Sequence, residues 1–142
     1  MPGRSFLDSN VLVYTDDRGE PRKQEAALGL LESCRRRSNG VVSSQVLQEY
    51  FAAATRKLGV PAEIARRKVE LFARFDLVLI GLDDILGAID LHRLHGFSVW
   101  DALIVRAATR SGCSVLYSED LKAGQRIEGL EIVNPFLSVA PA

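Results

Sequence analysis

Four acidic residues, Asp8, Glu49, Asp101 and Asp120, lie far apart in the chain, yet each stands where an apolar stretch ends or a helix begins. Carboxylates gathered at one edge of a fold repel one another, and a divalent cation makes such a gathering tolerable. Hard cations such as Mg²⁺ and Mn²⁺ take carboxylate oxygens and water. They need neither His nor Cys, and neither residue type stands near these acids. Such an ion suits phosphodiester hydrolysis: it polarises phosphoryl oxygens, generates hydroxide from bound water and neutralises the leaving oxygen.

Taken singly, three of the acids have ordinary explanations. Asp101 falls three residues after Ser98, the spacing of a capping box. Asp120 suits turn chemistry after a strand, and Glu49 suits a solvated helix position. Asp8 is harder to explain, because an acid between Leu7 and Val11-Leu12 belongs to the most buried part of an α/β fold, where a carboxylate without a partner is costly. The joint placement favours a cation site.

The elements that would position these acids follow from periodicity and punctuation. Ser5-Phe6-Leu7 reads as a short buried strand stopping at Asp8, after which Val11, Leu12 and Tyr14 continue it or start a helix. Pro21 opens a helix to about Arg37, whose basic last turn suits the negative end of its dipole, and Ser38-Asn39-Gly40 closes it. Val41-Val42-Ser43 is a second strand. Ser44 is placed to cap a helix with Val46, Leu47, Tyr50, Phe51, Ala54 and Leu58 on one stripe, bordered by Glu49. Gly59 stops that helix and Pro61 starts another to about Phe75.

Leu77 to Ile80 is a third strand, and Asp83 or Asp84 caps a helix to about His95, ended by Gly96. Ser98 caps the next helix, to about Ser111, with Leu103, Ile104, Ala107 and Ala108 facing inward. Ser114 to Tyr117 and Leu130 to Val133 complete the strands. Short apolar strands alternating with helices predict an α/β fold, a three-layer α/β/α sandwich around a mostly parallel sheet of four to five short strands. Ligands of such sheets bind beyond the carboxyl ends of the strands, where Asp8 and Asp120 fall. Glu49 and Asp101 are expected in the first turns of helices entered from the same rim.

At 142 residues the chain suits a single domain, residues 1–137, followed by a loose tail at 138–142. Lys plus Arg equals Asp plus Glu at 18 each, so no net field recruits an anionic polymer, and nucleic-acid contact must come from local patches. Arg35-Arg36-Arg37, Arg56-Lys57 and Arg66-Arg67-Lys68 are such patches, though solvated helix faces explain each of them more simply. Arg106 and Arg110 share a helix face, where phosphate contact is the rarer role and solvation the commoner.

Trp100 beside Asp101 suits core or rim packing better than base stacking. His92 and His95 are too few to make a zinc site. Two cysteines without knuckle spacing fit a reducing cytosol, and no signal peptide or membrane span is expected, so a cytoplasmic protein is the default.

Four segments carry a resemblance. Phe6-Leu7-Asp8-Ser9-Asn10-Val11-Leu12-Val13-Tyr14, Ser43-Ser44-Gln45-Val46-Leu47-Gln48-Glu49-Tyr50, Ser98-Val99-Trp100-Asp101-Ala102-Leu103-Ile104 and Leu116-Tyr117-Ser118-Glu119-Asp120-Leu121 resemble the four motifs of PIN-domain nucleases, above all the VapC-type toxins of bacterial toxin–antitoxin pairs. The resemblance covers about Ser5 to Phe136.

It implies a PIN-like fold and a Mg²⁺- or Mn²⁺-dependent endoribonuclease. Asp8 and Asp101 would be the principal metal ligands, Asp120 would complete the cluster directly or through water, and Glu49 would ligate or orient the attacking water. Asn10 and Ser118 would be accessory residues that position carboxylates or phosphate. Asp120 is favoured over its neighbour Glu119 by its spacing from Ser118. The resemblance further implies an RNA substrate, a homodimer and a cognate antitoxin whose tail enters the acidic groove.

The alternative within the same fold is a non-catalytic RNA- or protein-binding scaffold. Its expected mark is the loss of one or more acids, and all four positions are filled here. A phosphoacceptor domain ranks lower, since it needs an acidic pair on the first strand and an Asp ending the middle one. An Asp-x-Asp nucleophile motif fails because Asn10 stands two residues after Asp8.

Overall fold

Local chemistry sets where most elements of this computed structural model begin and end; it describes residues 3–138, so the tail expected at 138–142 lies almost wholly outside the described residues. Strand β1 (Arg4–Leu7) is buried through Phe6 and Leu7. Asp8 ends it by turning its carboxylate onto the Ser9 N–H as the N-cap of α1 (Ser9–Tyr14). Val11 and Leu12 therefore belong to a helix and not to a longer strand. Helix α2 (Pro21–Arg37) starts on its proline and ends at Ser38, whose φ of 53° is left-handed.

Strand β2 (Gly40–Ser43) begins one residue before the apolar run. A Cβ on Gly40 would stand 2.6 Å from Cδ1 of Phe75, so only glycine lets that ring close over the strand. Ser43, and not Ser44, caps α3 (Ser44–Lys57) by accepting from the Val46 N–H. The Ser44 hydroxyl instead accepts from the Ile80 N–H at 3.1 Å. Glu49 sits in the second turn of α3 and not in the first as expected.

Helix α4 (Ala62–Phe72) stops short of the expected Phe75. Strand β3 (Asp76–Val78) starts one residue early and ends two residues early, and as an edge strand it buries only Val78. In α5 (Leu82–His95) Gly81 is the N-cap, and Asp84 accepts from the Gly81 N–H, so the aspartate closes the cap from inside the helix. Helix α6 (Val99–Arg110) is capped by Ser98 as expected, with Oγ accepting from the Asp101 N–H at 3.1 Å. Strands β4 (Cys113–Tyr117), β5 (Arg126–Ile127) and β6 (Leu130–Val133) follow.

The sheet has six strands in the order β3-β2-β1-β4-β6-β5, one more than the upper expectation. All pairings are parallel except β5 with β6. With helices flanking it, the sheet has the mostly parallel, PIN-like α/β architecture the sequence predicts. Strand order reverses beside β1: the chain steps outward through β2 and β3 on one side and through β4 and β6 on the other. Such a switch point leaves a crevice at the carboxyl ends of the central strands. The core beneath it is formed by Phe6, Leu7, Val41, Val42, Leu116 and Ile132 from the strands, and by Val46, Tyr50 and Val105 from the helices.

Candidate active site

Register brings the first pair of site residues together. Leu7 pairs with Tyr117, and the ladder extends one step as the Asp8 N–H donates to the Tyr117 carbonyl at 3.0 Å, so Asp8 and Ser118 leave β1 and β4 side by side. Ser118 is fully buried and donates from Oγ to Oδ2 of Asp8 at 2.8 Å, while the Ser9 N–H donates to Oδ1 at 2.7 Å. The same Ser118 oxygen accepts from the Asp120 N–H at 3.2 Å and from Nδ2 of Asn10 at 3.3 Å. Asn10 also donates to Oδ2 of Asp120 at 3.2 Å and accepts the Glu119 N–H at 3.1 Å. Asn10 and Ser118 thus hold Asp8 and Asp120 in one hydrogen-bonded unit.

Glu49 is fixed at both oxygens. Oγ of Ser9 donates to Oε1 at 3.1 Å, and Nε2 of Gln45 donates to Oε2 at 3.2 Å. Gln45 also donates to the Trp100 carbonyl at 3.2 Å, linking the start of α3 to the residue before Asp101. Ser9 and Gln45 escaped the sequence reasoning. The four-residue spacing of Gln45 and Glu49 on one helix face was the available signal.

The electrostatics follow from burial and from like charges. Asp8 is 5% exposed. Burial, with the charges of Glu49 and Asp120 adding to it and the Ser118 and Ser9 hydrogen bonds countering part of it, pushes its carboxyl up to about 6. Burial also raises Asp101; the Ser98 hydroxyl offsets part of the rise, and the charge of Asp120 adds to it. All four acids therefore belong to one electrostatic group.

Asp84, 3% exposed, is the other buried carboxylate among the described residues. Burial opposes its charge too, but the Gly81 N–H, Arg110 and Arg106 outweigh it and hold the carboxyl below the ordinary range. Asp8 has no cation in this role: among the described residues none of the four site acids forms an ion pair.

The neighbouring acids are sorted by their partners. Glu119 turns away, accepting from the Tyr14 hydroxyl at 2.6 Å and from Nζ of Lys23 at 2.8 Å, which leaves Asp120 with the group. Arg106 and Arg110, though partly exposed as expected, are also engaged with Asp84, at 3.2 and 2.7 Å. The His92 ring pairs with the Phe97 carbonyl. Trp100 is 65% exposed, so it stands at the rim and contributes nothing to the core. Two grooves, of about 410 Å³ between α3 and α4 and about 630 Å³ between α2 and α4, are lined by none of the four site acids.

As the side chains stand, no group of three or more His, Cys, Asp or Glu among the described residues is arranged to hold a metal ion. The donor set still fits a hard cation of the Mg²⁺ type. Such ions are held by one or two carboxylates and complete their shell with water and substrate phosphates. Asp8, raised by burial that neutral donors only partly offset and by the neighbouring like charges, is the carboxylate such an ion would relieve.

Residues 5–127 match the PIN domain, and the chain belongs to that family. No curated protein matches significantly. Among solved structures, the chain is similar to the Mycobacterium tuberculosis toxin VapC20, described as cleaving the sarcin-ricin loop, at 21% identity and a TM-score of 0.68 over 82% of this chain and 89% of that one. It is similar to a chain of a toxin–antitoxin complex from Klebsiella pneumoniae at 19% identity and a TM-score of 0.69, over 92% and 97%. A chain of the DNA-bound VapBC of Salmonella typhimurium matches at 21% identity and a TM-score of 0.63, over 92% and 97%.

Proposed function

We propose that this protein is a Mg²⁺- or Mn²⁺-dependent endoribonuclease that hydrolyses RNA phosphodiester bonds, and the toxin of a toxin–antitoxin pair. One observation supports the nuclease assignment: Asp8 is buried at the switch point of the sheet, within the field of Glu49 and Asp120, held by neutral donors and, among the described residues, paired with no cation. Asp8 and Asp101 would hold the ion, with Asp120 joining them directly or through water. When bound, the ion supplies Lewis-acid polarisation of the phosphoryl group and a more acidic water.

The chain's own residues do the positioning. Glu49 would ligate the ion or orient the attacking water. Ser118 and Asn10 keep Asp8 and Asp120 aligned, and Trp100 offers an exposed ring for an unstacked base.

The toxin role draws on the similar structures, which include toxin–antitoxin complexes, and on VapC20, described as a sarcin-ricin loop cleaving toxin. A cognate antitoxin would close the acidic groove with its tail. The homodimer draws support from α5, where Leu82, Ile85, Leu86 and Ile89 form an exposed stripe at helical spacing. A cytoplasmic setting suits two buried free thiols, Cys34 and Cys113. Among the described residues no helix is long and apolar enough to cross a membrane.

The test is incubation with structured cellular RNAs, with and without Mg²⁺ or Mn²⁺, followed by mapping of the cut ends. Cleavage should require the ion and vanish in folded Asp8→Asn and Asp101→Asn. Cleavage that persists in both variants would refute the assignment.

A further inference from the structure

Gln45 is a polar residue in the first turn of α3 and only 8% exposed, followed by the buried Val46 and Leu47. Its two amide hydrogens go to Oε2 of Glu49 and to the carbonyl of Trp100, each at 3.2 Å. Among the described residues its amide oxygen has no hydrogen-bond partner, though it is buried. Reversing the amide would not relieve this. The Glu49 carboxylate oxygen and the Trp100 carbonyl both accept from Gln45, so a reversed amide would turn its oxygen toward acceptor lone pairs.

The side chain therefore keeps an orphaned buried acceptor in order to present two donors. A residue serving packing alone would do better as an aliphatic of similar length, because an unpaired buried polar atom is unfavourable. Both donors point at elements of the acidic group. One fixes the Glu49 oxygen that Ser9 does not hold. The other meets the turn of α6 that carries Asp101. Glu49 is half-buried, and without Gln45 its carboxylate would keep only the Ser9 hydroxyl and would turn freely about its last bond.

We infer that Gln45 is a positioning residue for the acidic site: it sets the plane of the Glu49 carboxylate and ties it to the helix start that presents Asp101. This rests on the proposed nuclease function. It makes a claim that function does not contain, namely that an amide donor 56 positions before Asp101 tunes how Glu49 and Asp101 act together.

The test compares wild type with Gln45→Met, which keeps length and volume and removes both donors. Mn²⁺ binding is followed by the electron paramagnetic resonance of free Mn²⁺, and kcat and KM are measured with a fluorescent RNA oligonucleotide that the wild type cleaves. Gln45→Met should keep its metal-free melting temperature or gain slightly. It should bind Mn²⁺ more weakly and lose about 10- to 100-fold in kcat, as loss of a hydrogen bond behind a ligand does. KM should stay nearly constant, because the lost interaction orients the reacting groups and not the RNA.

Gln45→Leu makes the same deletion with less bulk and replaces Gln45→Met if the latter folds poorly. Unchanged kcat and Mn²⁺ affinity, or a loss confined to KM, would overturn the inference while leaving the nuclease function standing. A wild type that neither binds Mn²⁺ nor cleaves would overturn both.

Discussion

Replacing Asp8 with Asn should stabilise the metal-free protein at neutral pH while abolishing its activity. In the folded state burial and like charges raise the Asp8 carboxyl from its ordinary 3.8 to about 6, a gap worth about 3 kcal/mol. The folded chain therefore binds more protons than the unfolded chain between those two values, and stability falls as pH rises through that window. Above about pH 6 the whole penalty is present. Asparagine removes the charge but places an amide nitrogen against one of the two donors, Ser9 N–H or Ser118 Oγ, which loses about 1 kcal/mol. The net gain for Asp8→Asn is about 2 kcal/mol at pH 7.5, shrinking to nothing near pH 4.5, where the native carboxyl is protonated.

Urea denaturation of both proteins from pH 4.5 to 8 in EDTA measures this directly. Saturating Mg²⁺ or Mn²⁺ should narrow the neutral-pH difference by stabilising only the wild type, since a ligand that binds the folded state raises its stability. An Asp8→Asn variant less stable than wild type at pH 7.5, or a difference that does not change with pH, would show that no strained charge is present at Asp8. The description of the site as an anionic group awaiting a cation would then fail.

Three further outcomes follow from named contacts. Trp100→Ala should raise KM for a short single-stranded RNA about tenfold at constant kcat, as expected for one lost stacking partner; an unchanged KM would remove Trp100 from the substrate path. Leu86→Arg, in the middle of the exposed α5 stripe, should convert a dimer into a monomer by light scattering, and a dimer that persists would place the interface elsewhere. Asp84→Ala removes the shared partner of Arg106 and Arg110 and the inner half of the Gly81 cap; it should destabilise the fold by about 2 kcal/mol in urea titration with no direct effect on the acidic group, and an unchanged midpoint would refute it.

The sequence displays what short-range chemistry decides. Pro21 and Ser38 bound α2, Ser98 caps α6, and each site acid follows a strand or belongs to a helix entered from the same rim, so their convergence could be argued before any coordinates. It hides what distant partners decide. Gln45 reads as an ordinary polar residue until Trp100, 55 positions later, covers it. Arg106 and Arg110 read as solvated until Asp84 is seen beneath them, and Glu119 is told from Asp120 by Lys23, 96 positions earlier. Strand β5 escaped because its hairpin turns on Glu128-Gly129, both at positive φ, 51° and 84°. Two-residue turns of that kind usually announce themselves with Asn-Gly or Asp-Gly.

The partners of the carboxylates bear on how a chain with no net charge handles a polyanion. Lys23, Lys68, Arg106 and Arg110 are each held by a carboxylate of the scaffold, whereas the rim that would receive RNA is lined with acids. Under the proposed function, electrostatic capture by basic side chains would be weak at the site, and phosphate contact would run through the divalent ion. Raising monovalent salt from about 50 to 200 mM should then change KM for a short RNA by only a fewfold, whereas proteins that neutralise many phosphates with Lys and Arg lose orders of magnitude over that range. Removing the divalent ion should abolish turnover at every salt concentration. A steep monovalent-salt dependence would instead mean that patches such as Arg35-Arg36-Arg37 grip the RNA, and the division between scaffold cations and site acids would lose its functional meaning.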